Sequence, residues 1–413
     1  MDKVGFHYRV DPDHYSEKDL SLWLPRLKEL DASWVVLNAP VNRAIPEGFI
    51  ATLKMEGIEP VLHFQLTPRQ NPRVEEMLLL FENYHRWGVK YIILYDRPNQ
   101  QGCWTPESWA QSDLPERFLD GFLSLAEAAV AVGLVPVFPP LEPGGDYWDT
   151  VFLRGALDGI KRRASRPLQD RLILSAYAGL NNRPLSWGSG GPQSWPEAQP
   201  YCTPQSSQDQ QGFRIVEWYS TIAETVLERK LPLLMLGISG PGPAESDQVE
   251  ILVNGARLIA RKTVVGEKPL PDEVIGGAFW LLVGGDDDQE QEIGWFTSDG
   301  SPTPIVESFT KQEEPLPAAK GGGKFRFSHY LLLPSFEWGV ADWHLNITRP
   351  FIKRHRPTVG FSLEEALQAQ QVTVLGGEEY FPEEQLTYLR NQGCLVRRIE
   401  GDGTNIASQL AAI

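Results

Sequence analysis

The chain has little cysteine: three residues in 413, Cys103, Cys202 and Cys394. That is too few for a disulfide scaffold or a four-thiolate zinc site. Cys103 and Cys202 could pair only if the fold brought their loops together, and idle thiols packed as small apolar side chains are the plainer reading. Basic charge is also short. Lys plus Arg is 38 against 54 Asp plus Glu, a formal charge of −16. Nucleic acid and anionic membranes need basic patches, so neither is expected as the main partner. No apolar run approaches the roughly 18 residues of a membrane span. The start, MDKVGFHYRV, has no basic segment followed by an apolar run, so no signal peptide is expected. The expected location is the cytoplasm, or the cell surface if the chain is cut from a longer precursor. No GxGxxG, P-loop or HExxH pattern occurs, which leaves nucleotide and zinc-peptidase readings without support. Neither a cofactor nor a metal is expected. The composition does not speak to oligomeric state.

What is abundant is Trp (13), Gly (37) and Pro (33). Six of the tryptophans, Trp104, Trp109, Trp148, Trp187, Trp195 and Trp280, stand at or just after candidate strand ends. One such Trp is ordinary core packing; six near one rim suggest a binding face.

Apolar strand-like runs alternate with helix-period segments as far as residue 310. The strand candidates are 4–8, 34–37, 60–65, 91–95, 134–138, 172–176, 233–236 and 275–283. The helix candidates between and after them are 17–30, 48–55, 74–87, 116–132, 147–164, 214–229, 247–262 and 305–310. Eight such pairs in order predict an α/β fold of the (β/α)8, or TIM-barrel, type over residues 1–310. The strands are almost wholly apolar, as a parallel sheet covered on both faces requires. Gly57, Gly88 and Gly133 stand between helix and strand and fit left-handed caps. The long loop 177–213 is rich in Gly, Pro, Ser and Asn and belongs on the functional face of such a barrel. Residues 311–324, KQEEPLPAAKGGGK, read as a linker. A small three-layer α/β domain is expected over 325–413, with strands near 327–334, 372–375 and 395–399 and a helix near 383–392.

The strand ends are polar. They supply His7, Asn38, His63, Gln65, Asp96, Arg97, Asn99, Tyr177 and Asn182, with Trp104, Trp187 and Trp280 close by. Amides and carboxylates bind vicinal hydroxyls, and aromatic faces cover the C–H faces of sugar rings. The expected partner is a carbohydrate or glycan.

Three segments then resemble the retaining glycoside hydrolases built on (β/α)8 barrels. VKYIILYDRPN (89–99) resembles a fourth-strand motif ending in Asn-Glu-Pro-Asn. LSAYAGLNNRPLSWGSGGP (174–192) is similar to sixth-strand loops that carry an aromatic residue into the sugar site. IGGAFWLLVGG with IGWFTSDGSPTPIVESF (275–309) resembles the eighth strand with its Trp and the turn before the last helix. The resemblance implies an acid/base Glu after strand four and a nucleophile Glu at the end of strand seven. Those positions here are Arg97 and about Gly237 or Ile238. A retaining reaction needs two carboxylates roughly 5–5.5 Å apart, and an inverting one about 6.5–9.5 Å. The displaced candidates are Asp96, Glu142 and Glu245. Glu245 also reads as an ordinary acidic residue at a helix start, beside Asp247.

Three functions follow: a glycoside-hydrolase-like carbohydrate-binding protein without the retaining Glu pair, a pseudoenzyme in effect; an active O-glycosyl hydrolase using Asp96, Glu142 or Glu245; or a structural surface or scaffold protein. The acidic run 284–292 (GGDDDQEQE) could gather a hard cation but reads more simply as a solvated loop. In the small domain, 372–411 resembles a single cell-wall-binding repeat of bacterial surface proteins, with packing as the plainer role for it.

Overall fold

The computed structural model describes residues 3–239, 246–261, 264, 267–284, 294–313, 327–334, 341–401 and 403–411. The chain forms two compact units, residues 1–313 and 314–413.

Unit one is an eight-stranded parallel sheet. Its strands are β1 (Lys3–His7), β2 (Trp34–Asn38), β3 (Glu59–Phe64), β4 (Tyr91–Leu94), β5 (Val135–Val137), β6 (Leu174–Tyr177), β7 (Leu233–Ile238) and β8 (Val274–Phe279). They run in the order β5-β4-β3-β2-β1-β8-β7-β6. A parallel bridge between Val137 and Ile173 completes the ring between β5 and β6. This is the expected (β/α)8 barrel, with a helix after each strand. Three short helices, Pro106–Trp109, Arg166–Arg171 and Gly191–Ser194, have no counterpart in the sequence reading. Each is one turn or little more, too short to leave a period in the pattern.

The local signals act as physics requires. Helix Glu17–Glu29 begins in a reciprocal capping box between Ser16 and Asp19, which satisfies two otherwise orphan amides. Gly57, Gly88 and Gly133 take φ of 77°, 87° and 100°, the left-handed conformation that ends a helix cheaply only in glycine. Inside the barrel, Trp34, Val36, Val61, Tyr91, Ile93, Leu234 and Leu236 pack together. A Cβ on Gly5 would lie 2.4 Å from the Trp34 ring, so glycine there is what admits an indole to the interior. A second, larger apolar layer fills the space between strands and helices. With both faces buried, the strands place their carboxyl ends at one rim, where the loops diverge.

Unit two is a four-stranded parallel sheet in the order β10-β9-β11-β12: β9 (Phe327–Leu332), β10 (Thr358–Gly360), β11 (Ala369–Leu375) and β12 (Leu395–Ile399). Three strands were expected. The additional one, β10, has three residues, TVG, below the length at which alternation can be read. Alternate residues of β9 bury to opposite sides. Tyr330 and Leu332 join Leu386 and Leu389, whereas Leu331 and Leu333 join Phe351, Ile406 and Leu410. Helices therefore cover both faces, as three layers demand. The helix Pro304–Glu313 runs three residues into the segment expected as linker; residues 314–326 lie outside the described ones. No helix among the described residues is long and apolar enough to cross a membrane.

Candidate active site

A cavity of about 310 Å³ opens where the strands end. Arg97, Glu142, Tyr177, Asn181, Gly237 and Trp280 line it, with Pro143, Gly179 and Ser239. These residues come from the ends of β4, β5, β6, β7 and β8, so the barrel itself assembles the site.

The backbone leaving β4 is bent. Tyr95 and Arg97 have φ of 72° and 42°, conformations that cost side-chain-bearing residues on the order of 1–3 kcal/mol each. The amides here are tied down, Asp96 donating to the Leu66 carbonyl at 2.9 Å and Arg97 to the Pro140 carbonyl at 3.1 Å. The bend sets the Arg97 guanidinium between two carboxylates. Its Nε donates to Glu142 Oε2 at 2.7 Å and an Nη to Asp96 Oδ2 at 2.9 Å. It lies 4.3 Å from the Tyr177 ring centroid. Tyr177 donates its hydroxyl to Asp96 Oδ1 at 2.6 Å. Burial, then the Asp96 charge, push this phenol well above its ordinary range, so it remains a donor. Both Asp96 oxygens are thus occupied as acceptors.

Two imidazoles back the pocket. His7 Nε2 accepts the Gly237 amide at 3.1 Å, and its ring lies 4.9 Å from that of Trp280. Burial first, then the neighbouring His63 and Arg97, push His7 down to about 3; it is neutral, with its hydrogen on Nδ1. His63 faces the Tyr95 carbonyl at 3.1 Å and Asp96 Oδ1 at 3.8 Å. Burial lowers it, outweighing the Asp96 charge that would raise it.

The strand-seven position is as telling as the strand-four one. Gly237 has φ 59°, and a Cβ added there would meet Tyr177 Cδ1 at 2.7 Å. The space a side chain would need is filled by an aromatic ring.

The remaining expected ligands divide. Gln65 is exposed. Asn99 is fully buried, and clamps the loop after β5: its amide group bonds Glu142 N, Glu142 O and Tyr147 O at 2.8–2.9 Å. Asn38 is buried and holds the Val10 carbonyl. Trp104 is buried with its N–H on the Pro98 carbonyl at 2.8 Å. Trp187 donates to Asp209 at 3.0 Å, within its own loop. Asn182 is exposed, and its neighbour Asn181 lines the cavity instead. Of the six tryptophans at strand ends, only Trp280 is among the lining residues. Trp148 is buried, and Trp109 and Trp195 pack against the outer apolar layer. Cys103 and Cys202 are free thiols. Glu245, the side chain of Asp247 and most of the acidic run 284–292 lie outside the described residues.

The sequence reading missed Asp149, a carboxylate with no exposed surface. It accepts from Gly144 N, Gln210 Nε2 and the Tyr219 hydroxyl at 2.9, 2.6 and 3.0 Å. It also missed Asp209, which organises the long loop. Neither stands in a spacing that marks it.

No known family of sequences matches the chain, and no curated protein does. Solved structures do, several glycosidases among them. An exo-beta-1,4-mannosidase from Opitutaceae bacterium strain TAV5 is 12% identical over 99% of this chain and 79% of its own, with TM-score 0.44. GH5_18 from Streptomyces cattleya, in complex with GlcNAc, is 12% identical over 98% and 99%, TM-score 0.42. A calcium-binding mutant of Bacteroides uniformis beta-glucuronidase 2 is 10% identical over 81% and 38%, TM-score 0.48. Likeness at this distance does not say what this chain binds.

Proposed function

We propose that the barrel mouth is a carbohydrate-binding pocket without retaining-glycosidase turnover. The observation that carries this reading is the placing of Arg97, which holds Asp96 and Glu142 at once. Glycoside cleavage needs a proton delivered to the leaving oxygen and a carboxylate or activated water at the anomeric carbon. A guanidinium cannot supply the proton. Losing general acid catalysis typically costs about 10²–10⁴-fold in rate without abolishing binding. Gly237 adds to the argument, because its contact with Tyr177 leaves no room for a nucleophile in the strand-seven place.

The binding half of the proposal rests on shape and lining. A volume of about 310 Å³ stands at the small end of ligand sites, roughly 300–1,000 Å³, the scale of one or two sugar rings. Trp280 offers a half-buried ring, and Asn181, Ser239 and Glu142 offer polar groups for hydroxyls.

The second reading is an active glycosidase using displaced carboxylates, favoured by Asp96 and Glu142 meeting at one arginine, Arg97. One experiment separates the two. The chain is assayed on aryl glycosides and a polysaccharide panel beside Asp96→Asn, Glu142→Gln and Glu245→Gln. Trp280→Ala is tested for glycan binding. The proposal expects no turnover in any of them and binding weakened by about 1–3 kcal/mol in Trp280→Ala. Hydrolysis removed by one carboxylate change would establish the second reading.

A further inference from the structure

The charge of the pocket narrows the class of sugar. Resting on the carbohydrate reading above, we propose that the pocket selects a cationic sugar, an amino sugar with a free ammonium group, over its neutral and uronic-acid counterparts.

The charge count is short. Arg97 brings one positive charge; Asp96 and Glu142 bring two negative ones. Among the described lining residues the charged ones are Arg97 and Glu142; Asp96 is not part of the lining and stands against Arg97, bonded to it. Burial favours the neutral form of both His7 and His63, so neither imidazole is counted as a cation. One negative charge is left over.

Where that charge sits matters as much as its sign. The guanidinium is shared: its Nε bonds Glu142, an Nη bonds Asp96, and its face lies over the Tyr177 ring. Arg97 is as exposed as Glu142, 36% against 35%, but its single charge is already shared between two carboxylates, so an incoming carboxylate gains little from the guanidinium and is repelled by Glu142 beside it. Asp96, at 16%, is less accessible, so Glu142 is the group that a ligand charge meets. An ammonium finds Glu142 on one side and the half-buried Trp280 ring on another, both attractive to a cation. A neutral hydroxyl in the same place gains the hydrogen bond without the charge.

The test uses matched sets of sugars: glucose, galactose and mannose, each with its 2-amino-2-deoxy and uronic-acid counterpart. Binding is followed by saturation-transfer NMR and by tryptophan fluorescence at about pH 6, below the ordinary range of amines. In at least one set the amino sugar is expected to bind about fivefold tighter than the neutral one, as a partly exposed charge contact provides. The uronic acid binds weakest. Raising salt shortens the screening length and shrinks the preference. Glu142→Gln removes the surplus charge and brings the amino-to-neutral ratio to about one.

Neutral sugars binding as well as or better than amino sugars would overturn the charge inference and leave the carbohydrate reading standing. No sugar binding at all would overturn both. If Glu142→Gln does not fold, the salt series on the unmodified protein decides: a preference indifferent to salt rejects the proposal.

Discussion

Two places in the barrel repeat one constellation. At the pocket, Arg97 lies 4.3 Å from the Tyr177 ring, and both residues bond Asp96. In the loop after β6, Arg183 lies 4.3 Å from the Trp187 ring, and both bond Asp209, at 2.6 and 3.0 Å. The parts are the same: an arginine on an aromatic face, sharing a carboxylate with it. The surroundings differ. Asp209 accepts further bonds from Thr203 and from the backbone and side chain of Gln211, and its side chain is 5% exposed. Asp96 has a second carboxylate, Glu142, competing for its arginine, and a cavity beside it. One set closes a loop; the other leaves charge facing solvent. Residue type does not distinguish them, and the count of donors per carboxylate does.

The comparison predicts unequal costs of removal. Burial alone would raise the Asp209 carboxyl; hydrogen bonds from Trp187 and the Gln211 amide, with the Arg183 charge, outweigh it and hold it below the usual range. Asp209→Ala strands all these donors and is expected to cost about 3–4 kcal/mol in urea unfolding, the range for breaking one side of a buried pair. Asp96→Ala should cost about 1 kcal/mol, because Arg97 keeps Glu142 and water replaces the rest. Equal costs would break the distinction.

Asp149 sharpens it by pH. Among the described residues this carboxylate has hydrogen-bond donors but no cation, and burial raises it to about 6 from an ordinary 3.8, against the opposing bonds from Gly144, Gln210 and Tyr219. The folded state therefore holds a proton that the unfolded chain has already released between those values. Stability from this group is full below about pH 4, falls as pH rises toward 6, and is flat beyond. At roughly 1.4 kcal/mol per unit, the loss is about 3 kcal/mol. Unfolding free energies of the unmodified protein relative to Asp149→Asn, measured from about pH 4 to 7, should decline by that amount. A flat difference would show that Asp149 ionises in the fold as it does in water.

The barrel was legible because its signals are periodic: eight apolar runs, glycine caps that adopt positive φ, and a large loop after strand six. Arg97 and Gly237 were legible as departures, since each stands where the resemblance implies a carboxylate. The fates of Asn99, Asn38 and Trp104 were not. An amide at a strand end binds a hydroxyl or a neighbouring loop carbonyl with the same groups, and here Asn99 spends its amide on the loop after β5. Asp149 and Asp209 were invisible because their donors come from 2 to 70 residues away and form no recognisable spacing.

The smallest expected effect is the finest test of the comparison. Tyr177→Phe deletes one hydroxyl and keeps the ring beneath Arg97. It removes a 2.6 Å hydrogen bond to Asp96 Oδ1, while Oδ2 keeps its bond to Arg97. Were Asp96 sealed as Asp209 is, losing a donor would expose the full desolvation penalty of a charged oxygen, on the order of 3 kcal/mol. Asp96 is instead 16% exposed beside a cavity, so water can take the vacated position. The expected cost to stability is therefore about 0.5–1 kcal/mol, read from urea unfolding. A loss near 3 kcal/mol would mean that the pocket excludes water at Asp96, and that its carboxylate is as structural as the one in the loop.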